Sequence, residues 1–371
     1  MKAYDVVVVG AGIVGAACAR ELAAADRRVL VVEAESGGGG ITAAGMGHLV
    51  VLDGAEWEFE LTRYSLRLWD EWIEELPPAA EYRRCGTLWV AETERQWRFL
   101  QSRAKRFEAA GVGAELLEGE ALRAEEPRLA PGLPGGLLVP SDGVLYPPVA
   151  ARTWLDAALR AGAEVRCGVR AVSVGHGAVR LGDGTKLACG RIVVAAGLEL
   201  PQLLPGCPVV PRKGHLAITE RYPGFLHHQC LEVGYLDSAH GMEGESVAFN
   251  VQPRATGQLL VGSSRQPGRR DRAVDRRLLA RMFYRAKRFL PEIERLEVVR
   301  IWTGVRAATP DGPPLIGPWP GDPTVLVAGG FEGLGITLAP AAARIVAALE
   351  AGVTPPVSPE PYLPARFSQG A

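Results

Sequence analysis

The sequence lacks the cysteine patterns that mark disulfide-stabilised or metal-binding proteins. Its six cysteines stand at positions 18, 85, 167, 189, 207 and 230, and no two are spaced as C-x-x-C. This spacing disfavours a disulfide framework, a zinc ribbon and an iron–sulfur cluster. We therefore expect isolated thiols in a reducing compartment, a cytoplasmic protein and no bound metal.

Long apolar runs and a large net charge are also missing. No stretch of 18 residues is apolar and glycine-poor enough for a membrane span. The formal net charge of −1 gives no general attraction to nucleic acid or to an anionic membrane. The basic run from Arg265 to Arg277 holds two aspartates and no aromatic residue, so we interpret it as a solvated face or a docking surface for another subunit.

A complete βαβ unit opens the chain. Residues 4–9 (YDVVVV) and 28–33 (RVLVVE) predict buried strands, and residues 13–25 predict the helix between them. A signal peptide is the alternative for the apolar start, but Asp5 and three regularly spaced glycines fit a nucleotide-binding turn better.

The junction of the first strand and helix carries the fingerprint Gly10-Ala11-Gly12-Ile13-Val14-Gly15. The first glycine forms the tight turn, the second lets the backbone approach a pyrophosphate, and the third lets helix and strand pack closely. Glu33 ends the second strand, where it is placed to bind ribose hydroxyls and disfavours the 2′-phosphate of NADP. The sequence therefore predicts a dinucleotide site at this turn.

Two features favour FAD over NAD at that site. No second G-x-G-x-x-G follows a strand later in the chain, although a flavoenzyme that uses NAD(P)H usually needs one. A small-residue loop over residues 37–47 comes directly after the ribose acid, where it would let a long cofactor pass close to the backbone.

The remaining elements predict a mixed architecture. Helical spacing marks residues 55–76, 92–110, 147–161, 273–289 and 334–351, a buried strand covers 191–196, and alternation over 208–263 is typical of an antiparallel sheet. The proline-rich last 17 residues predict an irregular tail. We expect an α/β (α+β mixed) fold. A Rossmann-like FAD-binding domain would comprise the discontinuous segments 1–80, 140–205 and 300–371, and an antiparallel-sheet substrate domain would comprise 81–139 and 206–299.

Six ordered motifs resemble the D-amino-acid-oxidase superfamily, in the branch with glycine oxidase and sarcosine oxidase. They are VVVVGAGIVGAACARELA with Glu33, GGGGITAAGMGH at 37–48, VVAAG at 193–197, VPRKGHLAI at 210–218, WTGVRAATPDGPPLIGP at 302–318 and AGGFEGLGITLAP at 328–340. Within the superfamily, the segments at 45–51, 246–266 and 302–317 look like the catalytic β subunits of hydroxyproline dehydrogenases and opine oxidases. One departure is Phe331, where relatives often have histidine.

The resemblance implies an FAD cofactor and a set of contacts with it. Glycines of the last motif, which the resemblance places around the flavin pyrimidine ring, precede an apolar helix whose N-terminus favours negative charge on the reduced ring. The predicted cofactor-binding residues are Gly10, Gly12, Ile13, Val14, Gly15, Glu33, Ala34, Thr42, Ala43, Ala44, Gly45, Met46, Val172, Ala196, Gly197, Gly330, Gly333, Leu334, Gly335 and Ile336.

Arg306 is the predicted substrate residue. Its planar fork suits a carboxylate, the resemblance points to the same position, and the alternative is an ion pair with Asp311 or with a surface carboxylate. His48 and Tyr235 are further catalytic candidates, and His48 alternatively bonds a loop carbonyl.

Other polar residues are weaker candidates for the site. Asn250 lies in the block expected to roof the site, where a core or surface position is as plausible as a substrate contact, and one of Arg212 and Lys213 is expected to reach the flavin or the substrate. The neighbouring His227 and His228 fit no metal pattern, because adjacent residues of a strand face opposite sides.

Three functions remain open at this stage. The first is FAD-dependent oxidation of a hydroxyproline-, proline- or opine-like substrate by hydride transfer, with electrons passed to partner subunits or to a quinone or dye. The second is a stand-alone glycine- or sarcosine-type oxidase that reduces O2 to H2O2. The third is a non-catalytic flavin-bearing subunit, against which Arg306 argues.

Overall fold

A computed structural model describes residues 4–234 and 244–370. The nine helices of the described ranges are α1 Ile13–Ala24, α2 Gly40–Ala44, α3 Glu56–Trp72, α4 Glu94–Ala109, α5 Gly119–Glu125, α6 Pro147–Arg160, α7 Leu200–Leu203, α8 Arg276–Phe289 and α9 Gly335–Ala351. The strands are β1 Tyr4–Val9, β2 Val29–Val32, β3 His48–Leu49, β4 Thr87–Ala91, β5 Glu115–Leu117, β6 Gly135–Val139, β7 Gly143–Val144, β8 Glu164–Arg166, β9 Ala171–Gly175, β10 Ala178–Leu181, β11 Lys186–Val194, β12 Val210–Arg221, β13 Gln229–Glu232, β14 Ser246–Pro253, β15 Gln258–Pro267, β16 Val298–Ala308, β17 Leu315–Trp319 and β18 Asp322–Gly329.

The first sheet has the order β17-β18-β11-β1-β2-β8, and the β9–β10 hairpin extends it from β11. Its central strands run parallel, with Val8 opposite Val193 on one side and opposite Val31 on the other. Strands buried on both faces need continuous apolar sequence, which explains the valine runs of β1 and β2. Helices α1, α3, α6 and α9 cover one face. The predicted mixed α/β class is confirmed.

The second sheet has the order β16-β12-β15-β14-β13-β4-β6-β5 and is antiparallel except between β13 and β4. Helix α8 packs on one face of it, where Met282 and Phe289 join the core formed with Phe249 and Val261. Since β16 spans Val298–Ala308 and pairs with β12, the predicted domain boundary at residue 300 falls inside a strand of this sheet. The division into domains stays a proposal.

Some elements differ from the sequence-based expectation. The small-residue loop contains the short helix α2, and the 115–125 region contains β5 and α5. The C-terminal residues are not an irregular tail: they form two 3-10 turns, in which Tyr362 is buried and donates to the carbonyl of Trp57 at 3.0 Å. No helix in the described part of the chain is long and apolar enough to cross a membrane.

Candidate active site

The glycine turn after β1 forms one end of the site. Gly10 has φ +104°, and a Cβ there would lie 2.5 Å from the carbonyl oxygen of Ala195. A Cβ on Gly15 would lie 1.9 Å from the carbonyl oxygen of Gly10. Helix α1 therefore begins directly against the ends of β1 and β11, and its N-terminus remains partly exposed at Gly10 and Gly12. Such an end attracts phosphate, because its N–H groups lack helical partners.

Two side chains complete this end. One carboxylate oxygen of Glu33 accepts from the Ala11 N–H at 2.7 Å and the other from the Glu35 N–H at 2.8 Å. The buried Thr42 hydroxyl accepts from the Ile13 N–H at 3.0 Å and so joins α2 to the start of α1. Glu33 thus lies beside the turn, where the sequence places a ribose-binding acid.

Close contacts connect this turn to the rest of the predicted cofactor residues. A Cβ on Gly197 would lie 3.0 Å from Ile41, and a Cβ on Gly45 would lie 2.9 Å from Ile336 at the start of α9. The loop of α2 therefore runs between the glycine turn and the 328–336 loop. Ala43, Ala44 and Met46 belong to this loop or end it, and Ala34 follows Glu33. Ala196 precedes Gly197 after β11, and the remaining predicted residues lie in the 328–336 loop before α9: Gly330, Gly333, Leu334 and Gly335.

Val172 has a different position from these residues. It lies on β9, and nearly half of its side chain is exposed. Nearby Val169 donates its N–H to the carbonyl of Glu33 at 2.8 Å, which places the start of the hairpin beside the ribose acid. A contact between Val172 and the cofactor stays a prediction.

The second sheet covers the same loop. A Cβ on Gly304 would lie 2.8 Å from Ala44, and a Cβ on Gly262 would lie 2.9 Å from the sulfur of Met46. The amide of Gln252 donates to the carbonyl of Met46 at 2.6 Å. The face formed by β14, β15, β12 and β16 therefore packs on the loop over residues 44–46.

His48 lies where this loop ends. Its Nδ1 pairs with Oε1 of Gln229, and its Nε2 pairs with Nδ2 of Asn250 at 3.1 Å. Burial lowers the pKa of His48 to about 4; the Gln229 hydrogen bond opposes this shift, and the charges of Arg254 and Arg306 add to it. His48 is therefore neutral above about pH 5. It does not bond a loop carbonyl through its ring, although its own backbone carbonyl accepts from Thr337 at 2.9 Å.

The side chain of Arg306 on β16 passes over Gly214 on the neighbouring strand β12. Its Nη1 donates to the carbonyl of Ser264 at 3.2 Å, and a Cβ on Gly214 would lie 2.9 Å from both terminal nitrogens. Asp311, the alternative partner, instead pairs with Arg366 at 2.6 Å. The guanidinium of Arg306 thus occupies space that only a glycine at position 214 leaves free.

Glu332 lies among three arginines. Its carboxylate is 3.0 Å from Arg265 and 3.9 Å from Arg212. Burial alone would raise the pKa of Glu332, but the charges of Arg265, Arg306 and Arg212 lower it, so the carboxylate stays ionised. The preceding Phe331 is buried and pairs with the backbone of Ala308.

The remaining candidate residues lie in different parts of the molecule. Arg212 faces this cluster, whereas the adjacent Lys213 faces the other side of the sheet and pairs with Asp271 at 2.7 Å. His228 lies 3.1 Å from both Glu125 and Glu126, and no cluster in the described ranges has metal-ligand composition. Tyr235 lies outside the described residues.

Sequence reasoning missed Gln229 and Glu332. It placed Arg265 at the start of a solvated or docking basic run, and this was wrong for Arg265, which is buried and pairs with Glu332. Arg265 and Arg306 stand on strands that both pair with β12, so their proximity depends on the register of three strands. The signal available was a charged residue, Glu332, inside a glycine-rich loop before an apolar helix, where burial demands a partner.

Comparison with known proteins agrees with this architecture. Residues 5–349 match the family model described as "FAD dependent oxidoreductase". The chain belongs to this family. A glycine oxidase of Pseudomonas aeruginosa is 30% identical over 97% of this chain and 98% of its own length.

Solved structures agree as well. The crystal structure of glycine oxidase from Geobacillus kaustophilus superposes with a TM-score of 0.87 at 26% identity and covers 98% of both chains. The L-proline dehydrogenase structure from P. horikoshii superposes with a TM-score of 0.89 at 23% identity, covers 100% of this chain and 99% of its own, and shows a shared fold.

FAD is the cofactor of this family, and the residues of this chain fit it. Gly10, Gly12 and Gly15 add no side chain of their own beside the start of α1, and the carboxylate of Glu33 accepts from the Ala11 N–H within this turn. Glycine and alanine are frequent in the two loops that lead from this turn to α9, over residues 40–47 and 328–336. Such small residues allow a flat ring to lie against the backbone. The protein is therefore an FAD-dependent oxidoreductase.

Proposed function

We propose that this chain oxidises the C–N bond of a small amino or imino acid whose carboxylate pairs with Arg306. The position of Arg306 is the observation that carries the proposal. It lies on the sheet face that packs on the 44–46 loop, and its expected competitor Asp311 is paired elsewhere. A planar guanidinium binds a carboxylate through two parallel hydrogen bonds.

The FAD would extend from the first glycine turn to the last. Its pyrophosphate would lie at the N-terminus of α1 and its ribose on Glu33, while the N–H groups around Gly333 and Gly335 would face the pyrimidine ring. When bound, FAD would accept a hydride, which carries both electrons of the oxidation. The protein's own residues bind and orient the substrate beside it.

The charge of the site favours a substrate with an unprotonated amine. His48 stays neutral above about pH 5, so it adds no positive charge beside the reacting carbon. The guanidinium of Arg306 supplies a positive charge on this face of the sheet, which favours the carboxylate of the substrate and disfavours an ammonium group beside it.

For the substrate we favour a hydroxyproline-, proline- or opine-like compound, with electrons passed to a partner subunit or to a quinone. The motif resemblance at 45–51, 246–266 and 302–317 supports this choice. The second candidate is a glycine- or sarcosine-type oxidase that uses O2, and the relatives named glycine oxidase, 29–30% identical over most of the chain, favour it. A cytoplasmic location and heteromeric partners stay predictions.

Two measurements on the FAD-loaded protein separate these candidates. Anaerobic bleaching of the flavin spectrum by glycine, sarcosine, D- and L-proline, hydroxyproline and an opine identifies the substrate class. Oxygen uptake compared with dye reduction then identifies the acceptor. Dye reduction with a cyclic or opine substrate and slow oxygen uptake supports the first candidate, and fast peroxide formation with glycine or sarcosine supports the second. If dithionite bleaches the flavin but no amino or imino acid does, the proposal is wrong.

A further inference from the structure

A buried hydrogen-bond acceptor lies beside His48 without a partner in the part of the chain that the structure describes. Asn250 is 1% exposed, and its Oδ1 accepts no hydrogen bond from any described residue. Leaving a buried carbonyl oxygen unpaired costs about 1–3 kcal/mol. Such an atom in a substrate-binding region suggests that a ligand supplies the missing donor.

The orientation of the Asn250 amide follows from a chain of hydrogen bonds. The carbonyl of Gly143 can only accept, so the Gln229 group that faces it at 3.1 Å must be the donor Nε2. The other end of that amide, Oε1, then faces Nδ1 of His48, which must carry the proton. Because His48 is neutral, its Nε2 is an acceptor, and Asn250 must present Nδ2 to it. The amide oxygen of Asn250 is left at the free end.

This free end lies at the proposed substrate site. Asn250 is opposite Gly262 in the sheet, and a Cβ on Gly262 would contact the sulfur of Met46. Its partner His48 directly follows the loop over residues 37–47, and Arg306 donates to the carbonyl of Ser264, which lies two residues from Gly262 on the same strand. Asn250 Oδ1 and the guanidinium of Arg306 are therefore two separate polar groups on the same face of the second sheet.

We propose that Asn250 Oδ1 accepts the N–H of the substrate amine and thereby selects amines that keep an N–H when neutral. Asn250 is then a specificity-determining residue, and Gln229 and His48 are positioning residues that fix its orientation. Primary and secondary amino acids satisfy Oδ1, whereas an N,N-dialkyl amino acid leaves it unpaired and buried. This inference rests on the proposed function, since it requires that the carboxylate bind at Arg306.

A pair of non-oxidisable ligands tests the inference without turnover. Pyrrole-2-carboxylate and furan-2-carboxylate have nearly the same shape and the same carboxylate, but the first presents an N–H and the second a ring oxygen. Their dissociation constants can be measured from the perturbation of the flavin spectrum of the holoenzyme. The wild-type protein should bind the pyrrole compound about ten-fold or more tightly than the furan compound.

Three variants show whether Asn250 causes this preference. Asn250→Leu should abolish it, mainly by weakening binding of the pyrrole compound. Asn250→Asp keeps an acceptor oxygen and should retain the preference. Gln229→Leu no longer fixes the proton on His48 Nδ1, so the Asn250 amide can turn and the preference should shrink. Gln258→Leu is the matched control, because it removes an amide that bonds the carbonyl of Thr219 on the same sheet, and it should leave the preference unchanged.

The outcomes separate this inference from the proposed function. A preference that survives unchanged in Asn250→Leu overturns the inference and leaves Arg306 as the carboxylate site. Equal binding of the two ligands to the wild-type protein overturns it as well. If neither ligand perturbs the flavin of the wild-type holoenzyme, the carboxylate site is wrong and both proposals fall. Retained flavin absorbance in each variant verifies that the fold is intact.

Discussion

The guanidinium of Arg306 has a fixed position over the sheet, because it donates to the backbone carbonyl of Ser264 and occupies the space that Gly214 leaves free. Its positive charge suits it to bind a carboxylate. Arg306→Met should reduce kcat/KM for the carboxylate substrate about 100-fold or more, since truncating one member of a buried charge pair costs several kcal/mol. Steady-state kinetics with the substrate found by flavin bleaching measures this loss.

A matched control for Arg306 lies on the same strand. Arg300 is also on β16 but is exposed, so Arg300→Met removes the same charge from the molecule without touching the site. We expect its kcat/KM to stay within about two-fold of the wild-type value, because solvent screens an exposed charge. Equal losses in the two variants would show that net charge matters and that position 306 does not bind the carboxylate.

The low pKa of His48 predicts that the free energy of unfolding depends on pH. Its folded-state pKa is about 4 and its unfolded pKa about 6.5, so between these values the unfolded chain binds more protons. The free energy of unfolding should therefore rise with pH through this window, by up to about 3 kcal/mol from this group. Urea unfolding of the holoenzyme at pH 4.5, 5.5 and 6.5 measures the slope.

The control for His48 is a second histidine at the surface. His48→Asn should flatten the slope between pH 4.5 and 6.5, whereas His176→Asn should leave it unchanged, because the side chain of His176 is 95% exposed. Activity above pH 6 should show no step that His48→Asn removes, since His48 is already neutral there. A wild-type slope in His48→Asn would contradict the assigned pKa.

At the scale of elements, the contact between α1 and the end of β1 depends on Gly15. A Cβ there would lie 1.9 Å from a backbone oxygen, so Gly15→Ala must move the helix away from the glycine turn. We expect loss of bound FAD, measured as visible flavin absorbance per protein, together with a lower melting temperature. Gly113→Ala is the control, because a Cβ at Gly113 meets nothing within 4 Å. If Gly15→Ala binds as much FAD as the wild-type protein, the pyrophosphate does not lie at this turn.

Long elements with a strong pattern were predictable from sequence, and short ones were not. The opening strand, helix and strand, and the final helix, agree with the structure to within one or two residues. Helix α2 has five residues, too few for a helical period to be visible, and it is held by the contact of Thr42 with α1. The packed C-terminal turns depend on the burial of Tyr362 against Trp57, a contact between distant segments that leaves no local pattern.

The candidate site was predictable to a similar degree. Arg306 and His48 were predicted because they stand within motifs that resemble a known family, and their roles stay predictions. The structure places Arg306 on the carbonyl of Ser264, two residues along β15 from Gly262, and His48 on Asn250, which is opposite Gly262. Gln229 and Arg265 carry no such motif. They reach the site through the register of β13 and β15 in the second sheet, which depends on pairing between segments far apart in sequence.

At the scale of the whole molecule, a buried arginine connects α4 to the segment that precedes α3 and to β4. Arg103 is fully buried, pairs with Asp53 at 2.6 Å and lies over the ring of Trp89. Arg103→Met should lower the free energy of unfolding by about 3–5 kcal/mol, because it leaves a buried carboxylate uncompensated. Denaturant unfolding followed by fluorescence measures this loss.

Arg98 on the same helix provides the comparison. It is exposed, so Arg98→Met removes the same charge from α4 without breaking the buried ion pair. The free energy of unfolding of Arg98→Met should therefore lie within about 1 kcal/mol of the wild-type value, because exposed charges contribute about 0–1 kcal/mol. If Arg103→Met is equally stable, the buried arginine does not hold these segments together.

We propose that FAD lies along the glycine-rich loops between the N-terminus of α1 and the N-terminus of α9. A carboxylate would bind beside it on Arg306. A crystal structure of the FAD-loaded protein with pyrrole-2-carboxylate tests it most directly. The account predicts the pyrophosphate at the N-terminus of α1, the carboxylate on the guanidinium of Arg306 and the ring N–H at Oδ1 of Asn250. A carboxylate bound away from Arg306, or a cofactor other than FAD at the first glycine turn, would contradict it.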